Sequence, residues 1–183
     1  MSKEEKLLKG CYQNNHTSQK ELFEHFATQV YHIANRYVNN SSEAEDIVAV
    51  AFTRVFKKIN SFSWQGIGSF EAWIRRIAVN ECLMYLRKRH NFNLLTSLEE
   101  VQLHSDLQPL AALHAEDILT MVSQLPTGYR TVFNLYVVEG YNHAEIAKQL
   151  EISEGTSRSQ LLKAKEQLKK MLENESNSYG TIS

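Results

Sequence analysis

The chain has 183 residues, 20 Lys and Arg against 21 Asp and Glu, and a formal net charge of −1. That balance excludes a uniformly basic nucleic-acid coat, and the length allows one or two small domains. Two prolines, seven glycines and long runs of period 3.6 predict an all-α protein, and Cys11 and Cys82 match no metal or disulfide spacing.

The first 17 residues are polar and lack a sustained period, which predicts a mobile arm. From Ser18, apolar residues recur at Leu22, Phe23, Phe26, Val30, Tyr31, Ala34, Tyr37 and Val38, an amphipathic helix ending at Asn39-Asn40. Ser42-Glu43-Ala44-Glu45 reads as a capping box opening a second helix, with Ile47, Val48, Ala51, Phe52, Val55 and Phe56 on one face. Glu43, Glu45 and Asp46 suit the positive end of that helix and also form an acidic knob. A loop, NSFSWQGIGS, follows. Ser69 then caps a third long helix with Phe70, Trp73, Ile74 and Ile77 inward, running to Arg87-Lys88-Arg89. Aromatic side chains beside cations are what single-stranded nucleic acid requires, because bases stack on rings while cations track phosphates. Phe70 and Trp73 suit a helical core. Phe62 and Trp64, in the loop, are equally open to packing or to base stacking.

Between Asn91 and Thr120 there are five acidic residues (Glu99, Glu100, Asp106, Glu116, Asp117) and no Lys or Arg. Two basic blocks divided by an acidic one predict two modules, residues 18–90 and 116–173, joined by a flexible linker over 91–115 and followed by a disordered tail over 174–183. In the second module Asn142 and Glu145 form a capping box, and Ile146, Ala147 and Leu150 face inward. Glu151-Ile152-Ser153 is a turn that buries Ile152, and Ser153 caps a basic helix carrying Leu161, Ala164, Leu168, Met171 and Leu172. A short helix, a turn and a longer basic helix is the arrangement that presents side chains to the major groove. The seven histidines match no ligand spacing, and no nucleophile elbow or phosphate-binding loop occurs, so neither metal nor cofactor nor catalysis is expected. His143 reads as a surface residue. No apolar run is long enough to span a membrane and no signal-peptide pattern opens the chain, so a cytoplasmic protein without membrane insertion is expected.

The order of A-E-D-I-V, W-I-x-R-I-A-x-N, L-R-K-R, L-P-x-x-Y-R-x-V-F, E-G-Y and E-I-A-K-Q-L-x-I-S-E-G-T resembles the two-domain extracytoplasmic-function (ECF) group of bacterial sigma-70 factors. The likeness spans roughly residues 18–173. It implies a first domain similar to sigma region 2, whose second helix, with Glu45, Asp46, Ile47, Phe52 and Arg54, docks on core RNA polymerase. It implies that Phe62, Ser63, Trp64, Trp73, Arg76, Asn80, Arg87 and Lys88 melt and hold the −10 element of promoter DNA. The second domain resembles region 4, with Glu154, Thr156, Arg158, Ser159, Leu162 and Lys163 at the −35 element. Many relatives are held inactive by an anti-sigma factor, so such a protein or a recruiting protein is a further expected partner.

The chain departs from the family pattern at several positions. Ala49-Val50 replaces the usual Gln-Glu, and Met84 a frequent Asp. Glu151 stands at the usual glycine of the turn, which costs about 1 kcal/mol if the backbone is left-handed there. Ser157 replaces a β-branched residue, and Gln160 and Lys163 stand where arginines are frequent. Lysine lacks the planar fork that reads guanine, so weak or sequence-tolerant −35 recognition is expected. Two other readings compete: a stand-alone helix-turn-helix regulator, which needs a dimerisation element not visible here, and a sigma-like adaptor.

Overall fold

The computed structural model describes residues 3–90 and 115–179. All regular elements among them are helical, and the chain divides into two compact units, Met1–Arg89 and His90–Ser183. Nearly all of the expected linker, residues 91–114, lies outside the described residues.

The first unit contains α1 (Lys3–Tyr12), α2 (His16–Val38), α3 (Ser41–Lys58) and α4 (Ser69–His90). Helix α1 corrects the expected N-terminal arm. Its Leu7, Leu8 and Cys11 are buried and it packs on α2. Ten residues offer too few turns for the period to stand out, so only packing reveals the helix. The close approach needs Gly10, where a Cβ would collide with the side chain of Ser18. Helix α2 begins earlier than Ser18, because the Asn15 side chain accepts from the Ser18 N–H at 3.1 Å. It ends at Asn39, whose left-handed backbone (φ 52°) suits asparagine. Asn40, not Ser42, caps α3 by accepting from the Glu43 N–H at 3.1 Å. The apolar faces of the four helices meet in one core, with Leu22, Phe26, Tyr37, Phe52, Phe70, Ile74 and Leu86 buried. At its edge the nearly buried Glu81 pairs with Arg54 at 2.5 Å.

The second unit contains α5 (Ala115–Gln124), α6 (Thr127–Phe133) running into a π-helical turn (Asn134–Val138), α7 (His143–Leu150) and α8 (Glu154–Tyr179). Arg130 is buried, and its Nη1 donates to the carbonyls of Ser123 (3.0 Å) and Leu125 (2.9 Å). It thereby bonds carbonyls at and just past the end of α5, with a cation at the negative helix end. Helix α8 continues to Tyr179, through most of the segment expected as a disordered tail.

Candidate nucleic-acid and partner interfaces

Helix α3 separates its residues by period. Ala44, Ile47, Val48, Ala51, Phe52 and Val55 are buried, and Glu45, Asp46, Ala49, Val50 and Thr53 are exposed. Two of the five expected polymerase-docking residues therefore point inward: Ile47 and Phe52 are core, and the Phe52 ring meets Phe23 edge-on at 4.7 Å. Arg54 is half-buried and held by Glu81, with a weaker contact to the Met84 sulfur at 3.5 Å. Glu45 and Asp46 remain as the free acidic knob. Beside them runs a groove of about 550 Å³ between α2 and α3, lined mainly by Phe23, Ala27, Tyr31, Val48 and Ala49, with Glu45 at its rim. Exposed Phe23 and Val50 extend the apolar surface. Such a face suits a helix with an apolar stripe and a basic flank. Sequence reasoning assigned Phe23 to the core. The available signal was Ala49-Val50, two apolar residues at solvent-facing positions.

The loop before α4 is fixed at both ends. At its start the Tyr12 hydroxyl donates to the Phe62 carbonyl at 2.7 Å, and the Phe62 ring lies 5.2 Å from Phe70 and 5.1 Å from Trp73. At its end the Ser69 hydroxyl donates to the Gly66 carbonyl (2.7 Å) and accepts from the Gln65 N–H (3.2 Å). Phe62 is thus one ring of a packed aromatic cluster, and the backbone position holds its ring against α4. Trp64 is half-buried and Ser63 exposed. On α4, Trp73 is half-buried, lying nearly parallel to Phe70 at 5.8 Å, while Arg76 and Asn80 are exposed one and two turns further on. Trp73, Arg76, Asn80 and Arg87 have the spacing of one helix face. The half-buried Arg87 and exposed Lys88 add charge near its end, where Arg89 pairs with Glu43 of α3. Aromatic faces at one end of a cationic stripe can stack unpaired bases and neutralise the phosphates that follow.

In the second unit the capping box of α7 is closed in both directions: Glu145 N–H to Asn142 Oδ1 at 2.9 Å, and Asn142 N–H to Glu145 Oε2 at 2.8 Å. The turn passes through Glu151 at φ 57° and ψ 41°, the left-handed conformation that favours glycine. Ile152 is half-buried there. Ser153 Oγ accepts from the Thr156 N–H at 2.9 Å and so starts α8. Of the six expected −35 residues, Glu154 and Arg158 are exposed and bonded to each other at 2.7 Å. Thr156, Ser159, Leu162 and Lys163 are half-buried, with Thr156 Oγ1 on Ser153 and Ser159 Oγ on the Gly155 carbonyl.

Ser157 and Gln160 are buried, so neither faces a DNA groove, and the departure at Gln160 concerns packing of the helix pair. Ser157 Oγ lies 2.9 Å from His143 Nδ1, and the His143 ring stacks on Tyr136 at 4.6 Å. His143 is therefore a half-buried bridge between α7 and α8. Burial, aided by Arg158 and Lys165 and opposed by Glu154, holds its pKa below the ordinary value. No sequence signal marked this contact, which joins residues fourteen apart through the turn.

Among the described residues, no helix is long and apolar enough to cross a membrane, and no group of three or more His, Cys, Asp or Glu could hold a metal ion.

These two helical units, one with an aromatic and cationic stripe and one with a helix-turn-helix, have the make-up of a two-part nucleic-acid-binding protein. Residues 22–92 match the family model for Sigma-70 region 2, and residues 115–168 match that for Sigma-70 region 4. The chain is 29% identical over 158 residues to the ECF RNA polymerase sigma factor SigE of Mycolicibacterium smegmatis, covering 83% of this chain and 60% of that protein. It is 25% identical over 180 residues to the ECF sigma factor SigW of Bacillus subtilis, covering 91% of this chain and 95% of that one. Its fold is similar to that of the sigma factor RpoE of Bartonella quintana, solved with the anti-sigma factor NepR (TM-score 0.50, 20% identity, 84% of this chain and 96% of that one). The chain belongs to the sigma-70 family, in its ECF group.

Proposed function

We propose that this protein is a transcription initiation factor that binds core RNA polymerase and directs it to promoters. The observation that carries the reading is the pairing, in one chain, of an α4 face bearing Trp73, Arg76, Asn80 and Arg87 with a helix-turn-helix ending in basic α8. Glu45 and Asp46, together with the adjoining α2–α3 groove, form the docking face for the polymerase. The exposed apolar Ala49 and Val50 stand there in place of polar groups. Trp64 and Trp73 hold unstacked bases of the −10 element, and Arg76, Asn80, Arg87 and Lys88 follow the strand. Opening a duplex costs a few kcal/mol per flipped base, which stacking and phosphate neutralisation offset.

At the −35 element Arg158 and Lys163 are the cations of the set, with Ser159 and Leu162 between them and Glu154 and Thr156 at the start of the helix. Because Arg158 is already engaged by Glu154 and lysine reads bases poorly, the −35 contact tolerates sequence variation. The protein acts without a cofactor and catalyses no reaction itself, and it works in the cytoplasm. A protein antagonist, of the kind seen on the Bartonella relative, would regulate it by covering the same docking face.

The test is co-elution of the full chain with bacterial core RNA polymerase on a sizing column, followed by run-off transcription from sheared genomic DNA. A stable complex that initiates at discrete sites is the expected result. A folded protein that never joins the polymerase would leave the stand-alone regulator or the adaptor.

A further inference from the structure

Helix α1 lies ahead of residues 22–92, the segment that matches Sigma-70 region 2, and the reading above gives it no part. Its last residue, Tyr12, is held from both sides. Before it, Leu7, Leu8 and Cys11 are buried where α1 packs on α2. After it, the helix closes with a paired cap. The Asn15 N–H donates to the Gly10 carbonyl at 3.1 Å and the Asn14 N–H to the Cys11 carbonyl at 3.0 Å, with Asn14 left-handed at φ 54°. Asn15 then caps α2. The corner between the two helices is thereby fixed, and with it the point from which the Tyr12 side chain extends.

That side chain reaches a residue fifty positions further along the chain. Its hydroxyl donates to the Phe62 carbonyl at 2.7 Å, the usual length for such a bond. Helix α1 also packs against the short 3-10 turn, Ile59–Ser61, that opens the loop. The Phe62 N–H donates back to the Ile59 carbonyl at 3.0 Å, so both backbone polar groups of Phe62 are engaged. The Phe62 ring in turn lies 5.1 Å from Trp73 and 5.2 Å from Phe70. Aromatic pairs tolerate a range of offsets, so ring contacts alone would let Phe62 slide over its neighbours. The bond to its carbonyl sets where it stops. A line of contacts therefore runs from α1 through Phe62 to Trp73, the first aromatic of the α4 stripe.

We infer that Tyr12 is a positioning residue for the −10 interface: its hydroxyl fixes Phe62 and, through Phe62, the placement of Trp64 and Trp73. It acts on the DNA strand only through those two side chains. The inference rests on the promoter reading above, in which the two tryptophans hold unstacked bases.

Trp64 and Trp73 are the two tryptophans of the chain, so intrinsic fluorescence reports on this cluster without a label. The experiment compares wild type, Tyr12→Phe and Tyr12→Ala, first as isolated full-length chains and then as holoenzymes with core polymerase. Tyr12→Phe keeps the ring and deletes the donor. In the isolated chain it should raise acrylamide quenching of the tryptophans. In the holoenzyme, affinity for a single strand carrying the −10 region of a promoter selected by the wild type should fall about fivefold, the scale of one neutral hydrogen bond. Affinity for core polymerase should equal that of wild type. Tyr12→Ala, which also removes the ring, should lose more strand affinity than Tyr12→Phe. Arg54→Ala weakens the same unit elsewhere and is the control for lost stability; its quenching should equal that of wild type.

Unchanged quenching and strand affinity in Tyr12→Phe overturn the inference while leaving the sigma reading intact. So does an equal loss of strand and core affinity, or a rise in quenching shared by Arg54→Ala, since either would make the hydroxyl a support of the whole unit. A wild-type holoenzyme that binds no −10 strand overturns the promoter reading, and the role of Tyr12 with it. Quenching of the isolated chain separates the two failures, because it reads the order of the tryptophans without DNA or polymerase.

Discussion

Arg54 lies on the helix proposed to dock on the polymerase, yet its guanidinium is bound to Glu81, so its loss should appear first as lost stability. The Glu81 side chain is 6% exposed and the Arg54 side chain 39%, at a separation of 2.5 Å. Removing one partner of a fully buried ion pair costs about 3–5 kcal/mol, because the other charge stays buried and unpaired. Arg54 is more than a third exposed, so water can partly replace it at the carboxylate, and exposed pairs contribute at most about 1 kcal/mol. Between these limits Arg54→Ala should cost about 2 kcal/mol. For a unit of this size that is a fall in Tm of roughly 8–16 °C. Thermal unfolding followed by circular dichroism measures it. Neutralising the stranded carboxylate in Arg54→Ala, Glu81→Gln should recover about half of the loss. An Arg54→Ala protein as stable as wild type, or a double variant no better than the single one, would refute the claim that Glu81 depends on Arg54. Reduced polymerase binding by Arg54→Ala then reflects a weakened fold, and is to be read only against this stability measurement.

Three further outcomes follow from the same geometry. Charge reversal at the two exposed acids, Glu45→Lys with Asp46→Lys, should lower affinity for core polymerase at least tenfold and leave the unfolding temperature within a few degrees of wild type; equal affinity by fluorescence anisotropy would remove these residues from the docking face. Glu151→Gly should stabilise the helix-turn-helix unit by up to about 1 kcal/mol, since relief of the left-handed strain exceeds the added chain entropy; chemical denaturation showing destabilisation would contradict this. For His143 the pKa is lowered on folding, so below pH about 6.5 the unfolded chain binds the proton first, and stability is lost as pH falls toward the folded value. An NMR titration should place the His143 midpoint under the ordinary value, and His143→Gln should flatten that acid limb; a midpoint above 6.5 would show that burial and the neighbouring cations do not act on His143 in solution.

Much of the fold was legible because it rests on local rules. The amphipathic period of α2 and α3, the capping box at Asn142 and Glu145, and the cap at Ser153 each depend on residues within a turn or two of one another. Helix α1 was missed because its apolar stripe is three residues long and gains its stability only on α2. The cap of α3 was placed two residues late, since Asn40 and Ser42 both satisfy the local pattern and only the backbone decides between them. The docking set mixed outward Glu45 and Asp46 with inward Ile47 and Phe52, because a family motif names positions without saying which face they occupy. In α8, Gln160 is polar by composition yet buried by position.

By itself the sequence determined helix against strand, the division into two modules and the helix-turn-helix grammar, because periodicity and capping are short-range properties of the chain. Only tertiary structure decided that Phe62 belongs to an aromatic cluster anchored by Tyr12, that Glu81 captures Arg54, and that His143 bridges to Ser157. These contacts join residues from eleven to fifty positions apart. Their existence depends on which helix faces meet and how closely, which no local pattern encodes.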